Sequence, residues 1–195
     1  MAEVSGLDRT TDLDDAAAVR LARDGDLDAY ELLVARYTAP AHRAAVLLGA
    51  GADADDVVQE AFVKAYRQMA RYRGESGFRP WLLAIVANET RNLHRSRRRR
   101  DTLVLRAAAA AGPEPTGPDP ADSAAAGERR RRLLDEIRSL DTRDREVLVC
   151  RFLLELSEAE TALTLGWPAG TVKSRTARAL TKLRRRLVAE EVPGA

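Results

Sequence analysis

The sequence is poor in the residues on which most catalytic and metal sites depend. It has one cysteine, Cys150, and two histidines, His42 and His94, in 195 residues. A single cysteine excludes an internal disulfide and a multi-cysteine metal cluster. There is also no Walker-type glycine loop, no GxSxG elbow and no HExxH spacing. The sequence therefore predicts no enzyme, no cofactor and no metal site.

Long apolar runs are missing as well. No run reaches the roughly 18 apolar residues that a membrane span needs. The N-terminus is acidic and lacks the basic and apolar regions of a secretory signal peptide. We therefore expect a cytoplasmic protein with no membrane span of its own.

The charges that are present are strongly segregated. The formal net charge is only +2, but residues 1–60 hold 5 basic and 13 acidic residues. Residues 61–100 hold 11 basic and 2 acidic residues, and residues 171–195 hold 7 basic and 2 acidic residues. Two basic segments indicate two contacts with a polyanion, and the acidic segment indicates a different partner.

The second basic segment belongs to a predicted helix-turn-helix. Ser157 and Glu160 have the spacing of a capping box, Gly166 ends the first helix, and Pro168 prevents its continuation. A second helix is expected from about Ala169, with its N-terminal turns in a DNA major groove. The predicted apolar sides are Ala159, Ala162, Leu163 and Leu165 in the first helix, and Val172, Ala179, Leu180 and Leu183 in the second. The predicted DNA contacts are Thr171, Lys173, Ser174, Arg175 and Arg178.

The helix-turn-helix also carries a family resemblance. The stretch ETALTLGWPAGTVKSRTARALTKLR resembles the promoter-reading helix-turn-helix of extracytoplasmic-function (ECF) sigma factors, above all at Gly170 to Arg175. The resemblance implies binding to the minus-thirty-five element by a domain attached to bacterial RNA polymerase. Thr161 and Thr176 stand where the family usually has a larger aliphatic residue. A hydroxyl buried there without a partner destabilises the fold.

A second stretch, DADDVVQEAFVKAY, predicts a helix with a polar outer side. Its apolar residues recur at helical spacing as a core stripe of Val58, Ala61 or Phe62, Ala65, Met69 and Tyr72. On its own, the polar side reads most simply as a solvated helix face. The stretch also resembles the sigma segment that docks on the clamp helices of the largest polymerase subunit. That resemblance implies polymerase contacts for Asp56, Gln59 and Glu60.

The loop RYRGESGF and the helix that begins at Pro80 form the first basic segment. In the sigma family, this loop and helix melt the minus-ten element, capture an extruded base and hold the single strand. Trp81 has core spacing, so we predict that it packs and does not stack on a base. Asn92 stands where the family usually has an acidic residue. The residues implied in minus-ten and single-strand binding are Arg73, Ser76, Asn88, Arg91, Asn92 and Arg95.

The predicted fold is all-α, with two small helical domains joined by a flexible Pro/Gly/Ala-rich linker. We predict an N-terminal arm over residues 1–13, a first domain over 14–100, a linker over 101–127 and a helix-turn-helix domain over 128–190. The linker holds four of the eight prolines and few apolar residues to pack, so the domains should move independently. Beyond the linker, we predict core residues at Leu133, Leu134, Ile137, Leu140, Val147, Leu148 and Phe152.

Three functions from different classes fit these features. The first is an RNA polymerase sigma factor that directs promoter-specific initiation, with core polymerase, promoter DNA and an anti-sigma factor as the partners that the resemblance implies. The second is a stand-alone helix-turn-helix regulator, which leaves the acidic patch unexplained. The third is a DNA-rearranging enzyme such as a serine recombinase, which needs a strand-containing domain where this sequence has helical periodicity.

Overall fold

The computed structural model describes residues 13–74, 77–105 and 124–190, and over these residues the chain is helical without strands. The predicted all-α fold is therefore confirmed. Short 3₁₀ segments cover Gly51–Asp53 and Met69–Arg71, and a π-helical segment covers Val149–Leu153. The eight α-helices described are α1 (Asp15–Arg23), α2 (Leu27–Leu48), α3 (Ala54–Gln68), α4 (Phe78–Leu105), α5 (Ala124–Ser139), α6 (Thr142–Leu148), α7 (Glu158–Leu165) and α8 (Ala169–Glu190).

Capping residues account for several of these helix ends. The Asp14 carboxylate accepts a hydrogen bond from the Ala17 N–H at 2.7 Å, and the Asp26 carboxylate accepts one from the Ala29 N–H at 3.0 Å. Gly49 ends α2 with a φ of 101°, in the left-handed region that favours glycine. Local side-chain chemistry thus fixes the starts of α1 and α2 and the end of α2.

Helices α1 to α4 form the N-terminal domain. The predicted stripe on α3 and the turn after it is buried throughout, from Val58 to Tyr72. Rings of Tyr37, Tyr72, Phe78 and Trp81 pack beside it, and the centroids of Tyr72 and Trp81 lie 4.5 Å apart. Trp81 is partly buried and packs against the core, in agreement with the predicted packing role.

Helices α5 to α8 form the C-terminal domain, and part of its predicted core is wrong. Phe152 is 51% exposed, Leu163 is 56% exposed and Leu180 is 37% exposed, and Ala159 is exposed as well. Helix α7 instead buries Thr161, Thr164 and Leu165. The reason is that α7 packs against two helices, α4 and α8, and the side it turns toward them carries the threonines.

The two domains pack against each other through α4 and α7. Arg79 donates a hydrogen bond to the Leu154 carbonyl at 2.8 Å, and the Thr164 hydroxyl donates one to the Pro80 carbonyl at 3.3 Å. This contact joins helices on either side of the predicted linker, and independent motion of the domains stays a prediction. Linker composition could not predict the contact, because it lies between helices that the linker separates in sequence.

The helices on either side of the predicted linker extend into it. Helix α4 continues to Leu105, since residues 101–105 hold no proline or glycine, and α5 begins at Ala124 in a run of strong helix formers. Residues 106–123 of the predicted linker, residues 1–12 of the predicted arm, and Ser76 lie outside the described residues.

Candidate functional site

Helix α8 presents one continuous exposed face at its N-terminal end. Val172, Ala179 and Leu183 are buried on the opposite side. The Ser174 hydroxyl donates to the Thr171 carbonyl at 3.2 Å, and the Arg178 Nε donates to the Ser174 carbonyl at 3.4 Å. The predicted DNA contacts that lie on this exposed face are Thr171, Lys173, Ser174 and Arg178.

Helix α7, which precedes α8, begins and ends at the residues that the sequence predicts. The Ser157 N–H donates to the Glu160 carboxylate at 2.7 Å, and the Glu160 N–H donates to the Ser157 hydroxyl at 3.1 Å. These bonds form the predicted capping box. Hydrogen bonding of the Glu160 carboxylate with the Ser157 side chain, and then with the Ser157 N–H, lowers the pKa of Glu160. Gly166 ends α7 with a φ of 67°. The sequence signals for the helix-turn-helix are therefore confirmed at the level of individual hydrogen bonds.

Arg175 does not lie on the exposed face. Its Nη1 donates to Asp144 Oδ1 at 2.9 Å, and its guanidinium lies 5.8 Å from the centroid of the Trp167 ring. The Arg175 side chain is 20% exposed and the Asp144 side chain is 2% exposed. A buried carboxylate needs a charged partner, and Arg175 supplies it. In this structure Arg175 therefore supports α8 from the side of α6, and its contact with DNA stays a prediction.

A second cation strengthens the attachment of α8 to α6. The Lys182 Nζ lies 2.9 Å from Asp141 Oδ2 and also contacts the Asp144 carboxylate. The hydrogen bond from Lys182 holds the pKa of Asp141 well below its usual range. Sequence reasoning missed Asp144, because two aspartates three residues apart at a helix start are explained by N-capping alone.

The predicted single-strand residues of α4 form a linked polar face. Asn88, Asn92 and Arg95 are exposed, and Arg73 is exposed in the preceding loop. Arg95 donates to the Asn92 amide oxygen at 2.6 Å, and Asn92 donates to the Glu89 carboxylate at 3.2 Å. Glu89 lies mostly buried beneath this face, and its carboxylate accepts hydrogen bonds from both Asn92 and Lys64.

Arg91 is the exception on α4, because it binds the other domain. Its Nε donates to Glu146 Oε1 at 2.8 Å, and its Nη2 donates to the Leu165 carbonyl at 3.4 Å. Its Nη1 also donates to the Asn88 amide oxygen at 2.7 Å. The Glu146 side chain is 7% exposed. Glu146 carries no sequence signal that would have linked it to Arg91.

A cavity of about 410 Å³ opens beside the loop that precedes α4. Its lining includes the aromatic residues Tyr37, Tyr72 and Phe78, basic residues such as Arg73 and Arg79, and the acidic residues Asp15 and Glu160. Aromatic rings with nearby cations are the surface on which an unstacked base and its phosphate can be held. The cavity therefore adds a feature that the sequence predicted only as a loop.

The polar side of α3 is exposed as predicted. Asp56, Gln59 and Glu60 are all exposed, while their neighbours Val57, Val58 and Ala61 are buried. Glu60 Oε1 lies 3.2 Å from the Lys64 Nζ, which also binds Glu89 Oε2 at 2.6 Å. The hydrogen bond to Glu89 raises the pKa of Lys64. An acidic and amide surface is thus presented on a helix that is anchored in the core.

Chemically reactive groups are scarce in the part of the chain that the structure describes. No group of three or more His, Cys, Asp or Glu side chains there could hold a metal ion. Burial raises the pKa of the Cys150 thiol to about 12, so the thiolate is not available at neutral pH. None of the described helices is both long enough and apolar enough to cross a membrane.

Comparisons with known proteins agree with this arrangement. The Sigma-70 region 2 family matches residues 33–100, and the Sigma-70, region 4 family matches residues 130–183. The chain is 33% identical to the RNA polymerase sigma factor NccH of Alcaligenes xylosoxydans xylosoxydans over 91% of this chain and 97% of that protein. It is 34% identical to the ECF RNA polymerase sigma-E factor of Escherichia coli K12 over 86% of this chain and 91% of that protein.

Two solved structures are similar over most of the chain. CnrH in complex with the cytosolic domain of CnrY gives a TM-score of 0.66 at 29% identity and covers 90% of this chain and 97% of CnrH. The sigma factor RpoE of Bartonella quintana, in complex with the anti-sigma factor NepR, gives a TM-score of 0.66 at 21% identity, covering 81% of this chain and 96% of RpoE. The second likeness concerns the fold alone.

Proposed function

The chain belongs to the extracytoplasmic-function family of RNA polymerase sigma factors, and we propose that three separate faces divide its work in promoter-specific initiation. One face binds core polymerase, one reads the upstream promoter element and one holds the melted strand. Stand-alone regulation of transcription is the weaker alternative, since it leaves the match to the Sigma-70 region 2 family without a role.

The upstream face is the N-terminal half of α8. Lys173, Ser174 and Arg178 are exposed on one side of a helix whose opposite side is buried. In a helix-turn-helix, side chains at the start of the second helix contact base edges in the major groove. This face is the observation that carries the proposal. Thr171 belongs to the same face, whereas Arg175 has the separate task of holding α8 on α6.

The single-strand face comprises the polar side of α4 and the adjoining cavity. Amides of Asn88 and Asn92 can hydrogen-bond to exposed base edges, and Arg73 and Arg95 can bind phosphates. The aromatic cavity beside Arg73 has room for an unstacked base. Ser76 stays in this proposal on the strength of the family resemblance. Arg91 can join the strand only when it leaves Glu146.

The polymerase face is the exposed side of α3, with Asp56, Gln59 and Glu60. It lies apart from both DNA faces in sequence and carries the opposite charge to them. CnrH is seen in complex with a partner protein, the cytosolic domain of CnrY, which supports a protein partner such as an anti-sigma factor for this chain as well. A protein that binds polymerase and promoter DNA acts in the cytoplasm.

Run-off transcription with purified core polymerase tests this proposal. Wild-type protein should direct initiation from a subset of a promoter pool. If Arg178 contacts a base, Arg178→Ala should weaken the binding free energy of the holoenzyme for those promoters by about 1–3 kcal/mol. The matched control is Arg138→Ala, which removes an exposed arginine of α5 that pairs with Asp135 at 2.9 Å. It should behave as wild type.

Promoter binding by the free protein, with no stimulation of core polymerase, would instead support a stand-alone regulator.

A further inference from the structure

The cations of α8 fall into two sets that differ in their partners. Residues 171–190 hold seven lysines and arginines and one acidic residue, Glu190. Three of the cations pair with carboxylates of α5 or α6 or of the turn between them: Arg175 with Asp144, Lys182 with Asp141 and Asp144, and Arg186 with Glu136. The other four are exposed and have no carboxylate partner within the described residues. These open cations are Lys173, Arg178, Arg184 and Arg185.

The open cations share one side of α8. Arg185 lies eleven positions beyond Ser174, and Arg184 lies eleven positions beyond Lys173. Eleven residues make about three helical turns, so each arginine repeats the direction of the residue at the start of the helix. Arg184 and Arg185 therefore point the same way as the proposed base-reading residues, although neither was among the predicted DNA contacts.

The two ends of this face lie far apart along the axis of α8. Eleven residues at 1.5 Å each span about 16 Å, which exceeds the roughly 12 Å width of the major groove of B-DNA. When Lys173, Ser174 and Arg178 lie in the groove, Arg184 and Arg185 lie beyond the base edges, at the level of a phosphate strand. A guanidinium group with no carboxylate partner is well suited to phosphate oxygens.

We propose that Arg184 and Arg185 form a second DNA site, which binds backbone phosphates at the border of the groove occupied by the start of α8. The inference rests on the proposed function, because it assumes that α8 reads promoter DNA. The site carries no sequence information and fixes the tilt of α8 across the groove. The paired cations hold the same helix on its own domain, so the two sets have different roles.

The salt dependence of promoter binding by the assembled holoenzyme tests this site. The variants are Arg184→Ala, Arg185→Ala and the double substitution, and the control is Arg186→Ala. The control removes the same charge from the next residue, which pairs with Glu136 at 3.8 Å and contacts the Ser139 hydroxyl. Each single variant should reduce the slope of log K against log salt concentration by about 1, and the double variant by about 2.

The double variant and the wild type should therefore differ strongly in the salt dependence of their promoter affinity. Between 50 and 200 mM salt, wild-type affinity should fall about tenfold more than that of the double variant. Preference among promoter sequences should stay unchanged in all the variants. Arg186→Ala should keep the wild-type slope and lose a little stability, since its pair is half exposed.

Two outcomes would overturn the inference, and they are distinct from failure of the proposed function. One is a double variant with the wild-type slope, and the other is an equal loss of slope in Arg186→Ala. In both cases wild-type holoenzyme still binds and transcribes, so only the phosphate site fails. Wild-type protein that gives core polymerase no promoter binding would overturn the proposed function as well. Glutamine at both positions provides a second neutral variant if the alanine protein has an altered circular-dichroism spectrum.

Discussion

The two helices proposed to bind nucleic acid are held in place by different parts of the molecule. Helix α8 is fixed by ion pairs within its own domain, through Asp144 and Asp141. Helix α4 is fixed in part by the other domain, through Arg91 and Glu146. Asp144 and Glu146 lie two residues apart on α6, and both carboxylates are buried. Asp144 binds a helix of its own domain, whereas Glu146 binds Arg91 of the other domain.

The two proposed DNA faces therefore differ in whether their residues are free to bind DNA in this structure. The open face of α8 is complete in the structure, because the residues that orient it belong to α6 and to the turn before it. The face of α4 is incomplete, because Arg91 is bound to Glu146 and to the Leu165 carbonyl. Upstream recognition should therefore depend on the C-terminal domain alone. Strand binding should depend on separation of the two domains.

The largest effect is expected from breaking the support of α8. Asp144→Ala should lower the free energy of unfolding by about 2–3 kcal/mol, less than the roughly 3–5 for a fully buried pair, because its cations keep access to water. Denaturant unfolding would measure the loss. Asp135→Ala is the control, since its pair with Arg138 is exposed and should contribute no more than about 0.5 kcal/mol. Equal losses in both variants would contradict the special role of Asp144.

A smaller effect is expected at the contact between domains. Glu146→Gln should weaken that contact by about 1–2 kcal/mol, because a charge-assisted hydrogen bond becomes a neutral one. Fluorophores at Ala52→Cys and Thr181→Cys would report the distance between the domains, since both positions are exposed and Cys150 is buried. The mean distance should increase. Glu128→Gln, which alters an exposed pair with Arg131, should leave it unchanged.

The smallest effect distinguishes two buried threonines of α7. Thr161 Oγ1 is buried and finds no hydrogen-bond partner among the described residues, so Thr161→Val should stabilise the protein by about 1 kcal/mol. Thr164→Val is the matched control, because its hydroxyl donates to the Pro80 carbonyl. That variant should lose about 0.5–1 kcal/mol. Thermal unfolding of both proteins gives the comparison, and a destabilised Thr161→Val protein would contradict the account.

Local patterns predicted most of what lies along a single helix. The capping box at Ser157, the glycine stop at Gly166 and the buried stripe of α3 all follow from spacing within a few residues. The exposed polar side of α3 follows from the same stripe, because residues between the buried positions must face outward. The same reasoning predicted that Lys173 and Arg178 face outward, and both are exposed.

What the sequence did not predict depends on partners far away in the chain. Arg175 was predicted to contact DNA from its position at the start of the basic helix, and its partner Asp144 lies 31 positions earlier. Arg91 was predicted to bind the melted strand through the family resemblance, and its partner Glu146 lies 55 positions later. Leu163 was assigned to the core because it is apolar, whereas packing of α7 against α4 buries Thr161 and Thr164 instead. All three cases depend on tertiary contacts, which helical periodicity does not contain.

The affinity of a polymerase-face variant for core RNA polymerase tests the central claim most directly. Gln59→Ala combined with Glu60→Lys changes two exposed side chains of α3 and leaves the buried stripe intact. Glu31→Lys, an equal change of charge at an exposed position of α2, is the control. The double variant should fold as wild type, bind core polymerase more weakly by about 2 kcal/mol or more, and lose promoter-specific transcription. The control should bind as wild type. A folded double variant with unchanged affinity for core polymerase would contradict the proposed docking surface.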